Sequence, residues 1–495
     1  MFAVARRGKD EPSMAAETGE ATQGHVAKLS MLTLTGVVVG SMVGAGVFSL
    51  PGRFASETGI FGAVIAWIIA GAGMLMLAFV FQMLANRKPE LDAGVYAYAK
   101  AGFGEYLGFF AAFGYWASAC AGNTFYWVFI MSTLSGLGVA GLGSGATLLA
   151  VGLSSIGLWV FFLLIRRGVQ SAALVNQIVT IAKLVPIIIF ILICLFVLDP
   201  EALRQNWYGA DYAGSLFEQV RSTMLVTVFV FLGVEGASVY SRHARRRTDV
   251  GRATILGFLS VFAIFASVTI VSYGVMPMEQ ISQLEQPSMA GILEYAVGPW
   301  GRWFVSIGLI ISVLGAYLAW SLMAAEVLSV AANERDMPCF LGKLNRTDVP
   351  VNAVLLTSVL VQGMLVILLF AEDALDLALD LTSSLTLIPF LLAALYAVKV
   401  AYAARHGQGE RRASGRDLLT SVLAVAYTAF LVFAAGWHFL LLSFIIYAPA
   451  TILFVMARRE QGRKAFEGRE PVIFALSLLG ALLGVVALGA GWIHL

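Results

Sequence analysis

Long apolar segments separated by short polar ones occupy the chain from about residue 30 to its end. Most of them are long enough to cross the roughly 30 Å hydrocarbon core of a bilayer as a helix. We therefore predict about thirteen transmembrane helices. They cover residues 30–56, 60–84, 103–136, 145–165, 172–198, 219–241, 253–276, 301–329, 351–371, 377–403, 417–436, 438–457 and 472–493.

The composition favours a helical membrane protein. Of the 495 residues, 59% are hydrophobic and only 13% are charged, whereas a soluble domain carries about 25% charged residues. A membrane β-barrel would instead alternate apolar and polar positions in segments of about ten residues. The predicted fold class is therefore an all-α polytopic membrane protein.

The basic residues predict the orientation, because lysine and arginine concentrate in cytoplasmic loops. Of the 32 lysines and arginines, four lie on the outer side, Lys183 lies within the fifth span and 27 lie on the inner side. The four on the outer side are Arg53, Arg204, Arg221 and Arg302. This distribution predicts a cytoplasmic tail at residues 1–28, and we place the protein in a bacterial inner membrane.

The first span contains "VVVGSMVGAGVFSLPG" at residues 37–52, with Gly40, Gly44 and Gly46 close together. Unpaired backbone groups cost several kcal/mol in hydrocarbon, so a helix breaks there only where it lines a cavity or is buried in protein. The spacing of Gly40 and Gly44 also fits a close helix–helix contact. This span alone leaves both interpretations open.

A second glycine-rich interruption favours broken helices. The sixth span reads "TVFVFLGVEGASVYS", in which Gly233 and Gly236 flank Glu235. It lies five spans after the first and runs in the opposite direction, as expected for an inverted repeat with a substrate site at two discontinuous helices. Half-helix N-termini offer N–H groups to a carboxylate, and freed carbonyls accept from an ammonium. Free amino acids carry both groups.

Four stretches resemble the amino acid–polyamine–organocation superfamily. They are "VGSMVGAGVFSLP", "GVYAYAKAGFGEYLGFFAAFGYW", "FVFLGVEGASVYS" and "AANERDMP". The stretch "LTSSLTLIPFLLAALYAVKVAYA" is similar to the basic amino acid/polyamine antiporter branch, especially to arginine/ornithine antiporters. The resemblance implies a LeuT-like fold with a five-plus-five inverted repeat at residues 29–403 and three peripheral spans at residues 404–495.

The same resemblance implies that the break in the first span binds the carboxylate and amino groups of the substrate. The residues concerned are Ser41, Met42, Val43, Gly44, Ala45 and Gly46. Relatives often carry a hydroxyl residue at the position of Ala45, and here that hydroxyl is missing. Backbone N–H groups or Ser41 would have to replace it.

Several aromatic residues lie at the predicted depth of the cavity, where their faces can attract a cation. They are Tyr115, Trp116, Phe229, Phe231 and Trp320. Membrane cores contain many aromatics, so position alone selects none of them. The resemblance favours Tyr115 with Asn123 eight residues later, Trp320 on the substrate side chain, and Phe229 at the position of a gate.

Three ionisable residues within spans are candidates for gating or proton-linked roles, because charges inside a membrane are costly and usually mark a pathway. Glu235 is either a proton-linked group or half of a buried structural pair. Lys183 is either a built-in cation or a lysine that binds carbonyls at the end of the first half-helix. Glu326 either neutralises a departing cation or pairs with the basic loop after span six.

We interpret the chain as a secondary transporter, not an enzyme. It would exchange cationic amino acids, with arginine and ornithine as the best pair. Proton-coupled uptake and a sensor that does not transport are the alternatives. No cofactor or metal is expected, because all five histidines lie in loops or at span ends. The basic stretch at 245–253 is interpreted as orientation charge, not as a nucleic-acid site. The expected partners are amino acids and lipid, and a homodimer is compatible with the resemblance.

A proton-linked role for Glu235 has a direct test. Exchange by the wild type should vary between about pH 5 and about pH 8. The Glu235→Gln variant should still insert and should show a flat pH profile, because the amide binds no proton in this range. A slower variant with an unchanged profile would move the role to another residue. A variant that aggregates would favour a structural pair. Both proteins are compared at matched reconstituted amounts.

Overall fold

A computed structural model describes residues 31–91, 95–168, 172–209, 213–234, 247–371, 373–406 and 415–493. The predicted tail at residues 1–28 and the candidate Glu235 lie outside these ranges. Within them, the chain forms α-helices joined by short 3₁₀ turns and loops, so the predicted all-α class is confirmed.

Nine helices form the first half of the described chain. They are α1 (Met31–Met42), α2 (Leu50–Glu57), α3 (Ile60–Arg87), α4 (Val95–Phe103), α5 (Glu105–Gly136), α6 (Leu148–Arg166), α7 (Ala172–Phe196), α8 (Pro200–Gln205) and α9 (Leu216–Phe231). A 3₁₀ turn at Gly46–Ser49 leads directly into α2.

Eight helices form the second half. They are α10 (Arg247–Ser272), α11 (Met278–Ser282), α12 (Ser288–Val297), α13 (Pro299–Asn333), α14 (Val351–Ile367), α15 (Ala374–Arg405), α16 (Gly415–Glu460) and α17 (Glu470–Gly489). Each predicted span overlaps one of these helices or a pair of them.

Eight of the described helices are long and apolar enough to cross a bilayer, and the bent pair at 34–42 and 46–57 makes a ninth. Helix α16 covers the two spans predicted at 417–457. Its backbone is not helical at Gly436, where φ is 77°, and a positive φ favours glycine because there is no Cβ to clash. The predicted division between spans eleven and twelve therefore coincides with a real interruption.

Helix α16 completes the hydrogen bonding of α15. Pro389 lies inside α15 and has no N–H, so the carbonyl of Leu385 loses its helical partner. The hydroxyl of the fully buried Tyr447 on α16 donates to that carbonyl at 3.1 Å. Gly114 on α5 leaves room for this contact, because a Cβ there would lie 1.6 Å from the Tyr447 oxygen. A span expected to be peripheral thus supports the core.

A polar network joins the helices at the end of the bundle where α4 lies. The Lys100 Nζ donates to both carboxylate oxygens of Asp336, at 2.7 and 2.6 Å. Burial raises the pKa of Asp336, and Lys100 opposes that rise. Nearby, the buried Arg458 on α16 forms ion pairs with Glu105 on α5 and Glu470 on α17, both at 2.9 Å. These contacts fasten the last two helices to the rest of the bundle.

Loss of the Tyr447 hydroxyl should destabilise the protein. In the Tyr447→Phe variant, the Leu385 carbonyl would remain buried without a partner, which costs about 1–3 kcal/mol. We expect a lower midpoint of thermal unfolding in detergent, measured by intrinsic fluorescence. The control is Tyr295→Phe, because Tyr295 is 62% exposed. Equal midpoints for the two variants would contradict a supporting role for α16.

Candidate substrate-binding site

The first predicted break is present between α1 and α2. Helix α1 ends at Met42, the 3₁₀ turn begins at Gly46, and the two half-helices are bent by 46°. In between, the Val43 N–H donates to the Val39 carbonyl and the Gly44 N–H donates to the Met42 carbonyl, both at 2.9 Å. A helix leaves its first N–H groups without partners in the helix, so the turn at Gly46 exposes donors at this point.

The second break lies against the first. Helix α9 ends at Phe231, and the chain then turns at Gly233 with φ at 101°. A Cβ on Gly233 would lie 2.8 Å from the carbonyl oxygen of Ser41. The Ser41 hydroxyl donates to the Val38 carbonyl at 2.9 Å and also lies 3.2 Å from the Gly233 carbonyl. Glycine at 233 is therefore needed both for the turn and for this close approach.

Lys183 reaches the end of the first half-helix. Its side chain is only 3% exposed, and its Nζ donates to the carbonyl of Gly40. Gly40 lies in the last turn of α1, where the carbonyls form the negative end of the helix dipole. The structure thus brings together the lysine and the carbonyl that one interpretation of the sequence required. A built-in cation would occupy the same place.

The two breaks open onto a cavity of about 400 Å³, a volume that includes the part open to the outside. The lining comes from α1 and its break, α5, α9, α10, α13 and α15. It consists of Ser41, Met42, Gly44, Gly46, Val47, Ser118, Ala119, Gly122, Tyr126, Phe229, Val230, Leu232, Phe265, Trp320 and Thr382.

The lining carries no aspartate, glutamate, lysine or arginine among the residues that the structure describes. A cationic group in the cavity would instead meet aromatic rings, which attract cations through their faces. Phe229 lies against the first break, because a Cβ on Gly46 would be 2.7 Å from its ring. The ring of Phe125 packs against the ring of Phe229, with 4.9 Å between the two centroids.

The predicted binding residues fall into two groups. Ser41, Met42, Gly44, Gly46, Phe229 and Trp320 line the cavity. Val43 and Ala45 are fully buried in the break and do not line it. Phe231 was placed at cavity depth by sequence, yet its ring packs between Trp67 and Phe258, at centroid distances of 5.9 and 5.2 Å. It points away because two residues along a helix turn the side chain by about 200° from Phe229.

Tyr115 and Asn123 lie where α5 packs against α13, outside the lining. The Asn123 Nδ2 donates to the Ser321 hydroxyl at 3.2 Å, while its Oδ1 is buried and has no hydrogen-bond partner among the described residues. The Tyr115 hydroxyl is 4.0 Å from the Met323 sulfur. The neighbouring Trp116 donates from Nε1 to Thr357 on α14 at 2.9 Å. In this arrangement, these three residues fix helix packing.

Glu326 is exposed on α13, six residues beyond Trp320 and therefore about 9 Å further along the helix. It does not line the cavity. The basic loop proposed as its alternative partner falls partly outside the described ranges, as does Glu235. The structure therefore leaves the two interpretations of Glu326 as they were.

Sequence reasoning missed nine lining positions, four of them on α5. The nine are Ser118, Ala119, Gly122 and Tyr126 on α5, and Val47, Val230, Leu232, Phe265 and Thr382 elsewhere. A signal was available for Ser118, Gly122 and Tyr126, because residues spaced four apart lie on one face of a helix. A stripe with a hydroxyl, a glycine and a phenol in an apolar span could have marked the cavity-facing side of α5.

A sequence model of the family described as amino acid permease matches residues 29–464. An arginine/ornithine antiporter of Pseudomonas aeruginosa is 44% identical over 476 residues, which cover 94% of this chain and 98% of that protein. An L-lysine transport protein of Corynebacterium glutamicum is 35% identical over 94% of this chain and 96% of that protein. An arginine/ornithine antiporter of Latilactobacillus sakei is 35% identical over 92% of this chain and 96% of that protein.

Gly46→Val should remove binding of labelled arginine, by more than about tenfold in affinity. The new side chain would overlap the Phe229 ring and fill space at the start of the 3₁₀ turn, and overpacking of this kind costs about 1–3 kcal/mol. Gly36→Val is the matched control, because a Cβ on Gly36 meets nothing within 4 Å. Binding is measured by scintillation proximity on purified protein. Unchanged affinity with monodisperse Gly46→Val protein would show that the break does not bind substrate.

Proposed function

This chain belongs to the amino acid permease family, and on that premise we propose that it exchanges cationic amino acids, arginine against ornithine, across a membrane. The observation that carries the proposal is the 44% identity, over nearly the whole of both chains, to the arginine/ornithine antiporter of Pseudomonas aeruginosa. The cavity at the two broken helices provides a site of suitable chemistry, with aromatic rings and neutral polar groups in its described lining. As a permease, the chain is a transporter and not an enzyme.

The proposed binding mode follows from the polarity of the breaks. The α-carboxylate would face the N–H groups at the start of the turn at Gly46, where the helix dipole is positive. The α-ammonium would face the carbonyls near the end of α1 and at Gly233. The cationic side chain would extend over the rings of Phe229 and Trp320. The neutrality of the described lining residues supports this arrangement, because the substrate brings both charges that the site would balance.

We further propose the orientation and repeat organisation that the sequence indicates. The N-terminus would be cytoplasmic in a bacterial inner membrane, in agreement with 27 of 32 basic residues on one side. Residues 29–403 would form the two inverted halves, with residues 404–495 peripheral to them. The meeting of the two breaks at Ser41 and Gly233 supports this organisation, because each break falls in the first span of its half.

Lysine transport is a second candidate. It is favoured by the 35% identity to the L-lysine transport protein of Corynebacterium glutamicum over 94% of this chain. Lysine and ornithine differ by one methylene in the side chain. A hydrophobic pocket separates such pairs by only about 1–3 kcal/mol, so one site can serve both.

Counterflow in proteoliposomes tests the proposed exchange. Vesicles loaded with unlabelled ornithine should accumulate labelled arginine, and empty vesicles should not, because an antiporter crosses only when occupied. Vesicles loaded with lysine test the second candidate. Accumulation that needs a pH gradient but no internal substrate would indicate symport. Binding without any accumulation would indicate a sensor. The Gly46→Val protein provides the background.

A further inference from the structure

We propose that the phenol of Tyr126 is the side-chain donor that binds the α-carboxylate of the substrate. This inference rests on the proposed function, because it requires an amino acid in the cavity at the two breaks. A carboxylate removed from water needs donors on its oxygens, and bonds to an ionised group are the strong ones.

The other hydroxyls that line the cavity are already committed. Ser41 donates to the Val38 carbonyl and lies beside the Gly233 carbonyl. Ser118 donates to the Thr382 carbonyl at 2.6 Å, and Thr382 donates to the Ala378 carbonyl at 2.6 Å.

A serine or threonine hydroxyl has one proton to donate. Each of these three groups would therefore have to give up its hydrogen bond to a backbone carbonyl before it could donate to a carboxylate. Ser41, the replacement that the sequence suggested, is disfavoured on this ground, because its hydroxyl also lies against the Gly233 carbonyl and helps to hold the two breaks together.

Tyr126 is the lining hydroxyl whose proton is uncommitted. Its side chain is 5% exposed and lines the cavity, yet its hydroxyl makes no hydrogen bond within the part of the chain that the structure describes. Other buried tyrosines do have partners: Tyr273 donates to the Thr58 carbonyl at 2.6 Å and Tyr447 to the Leu385 carbonyl at 3.1 Å. A buried phenol normally finds a partner, and because the Tyr126 side chain lines the cavity, a bound substrate can supply one.

The position of this hydroxyl favours the carboxylate end of the substrate. The Tyr126 oxygen would lie 3.3 Å from a Cβ built on Gly44, so it stands directly against the first break. Gly44 comes two residues before the 3₁₀ turn, whose first N–H groups have no partner within the turn, and Gly44 and Gly46 both line the cavity. The phenol therefore lies beside the part of the break that offers N–H donors to a carboxylate. A phenol oxygen can also accept from an ammonium, and ligands with and without the carboxylate distinguish the two contacts.

The indole N–H of Trp320 is the alternative donor in the lining. Trp320 is on α13, whereas Gly44 and Tyr126 meet across α1 and α5. The Tyr126 phenol is therefore the donor at the first break, and analogues that lack the carboxylate can test this contact.

The test compares arginine with agmatine, the amine that lacks the carboxylate. In Tyr126→Phe, the affinity for arginine should fall about tenfold, which is the effect of one hydrogen bond to a charged group. The affinity for agmatine should change by less than about twofold, because it never used the phenol. Tyr427→Phe is the control, since it removes a buried hydroxyl that lies outside the cavity and has no hydrogen-bond partner in the described ranges. Binding is measured by isothermal titration in detergent.

Equal losses for arginine and agmatine would overturn the proposal and make Tyr126 a packing residue. An unchanged affinity for arginine would also overturn it and leave Trp320 as the donor. A wild type that binds no arginine would instead refute the proposed function, so the two failures are distinguishable.

Two further measurements cover the remaining cases. If agmatine does not bind the wild type, infrared spectra with carboxyl-labelled arginine decide, because the carboxylate band should shift between wild type and Tyr126→Phe. If the phenylalanine variant does not fold, Tyr126→Gln keeps an N–H donor and should retain the preference for arginine over agmatine. Loss of that preference in a folded Tyr126→Gln protein would count against the proposal.

Discussion

Two interrupted helices can exist inside an apolar bundle only if the protein satisfies the backbone groups that each interruption frees. Here each break is completed by the other and by one buried side chain. The Ser41 hydroxyl lies between the Val38 and Gly233 carbonyls, and Lys183 binds the Gly40 carbonyl. Without these contacts, the end of α1 would expose carbonyls to a medium without donors. The cavity, its polarity and its lining all follow from this arrangement.

The same constraint explains why glycines recur at the breaks in different roles. Gly233 adopts a positive φ and also approaches the Ser41 carbonyl closely. Gly46 has an ordinary position in a 3₁₀ turn, and its value lies in the space it leaves under Phe229. One glycine is needed for its backbone and the other for its missing side chain. A sequence pattern records both simply as glycine.

Hydrophobic run length predicted where the helices lie, because lipid-facing and core-facing positions are both apolar and each run ends at a loop. The interruption at residues 43–45 was favoured over a close helix contact by the second glycine-rich span, and a division at Gly436 was predicted within the long apolar run at 417–457. Side-chain direction was not readable. Phe229 and Phe231 look equivalent in "FVFLGVEG", yet one lines the cavity and the other packs on Trp67. With helices apolar on all sides, no polar face indicates which way a ring points.

The hydrogen-bond partners of hydroxyl groups were a second feature of the site that could not be predicted from the sequence. A sequence shows that Ser41, Ser118 and Thr382 carry hydroxyls, but it does not show which carbonyl receives each proton. Only the three-dimensional arrangement shows that these protons are committed and that the one on Tyr126 is not. The missing hydroxyl at Ala45 was visible in the sequence, while its replacement comes from α5, about 80 residues further along the chain.

The unpaired donors at the first break also give a physical reason for exchange. If the cavity closes while empty, the N–H groups at the start of the turn and the Tyr126 hydroxyl lose water without gaining a partner. Each buried unpaired group costs about 1–3 kcal/mol. An amino acid supplies a carboxylate to those donors and an ammonium to the carbonyls, so the closed state is favourable only when it is filled. Because the described lining residues are neutral, none of them holds a departing cation by a fixed charge. A site that closes readily only around substrate, and then releases it, has the property that exchange requires.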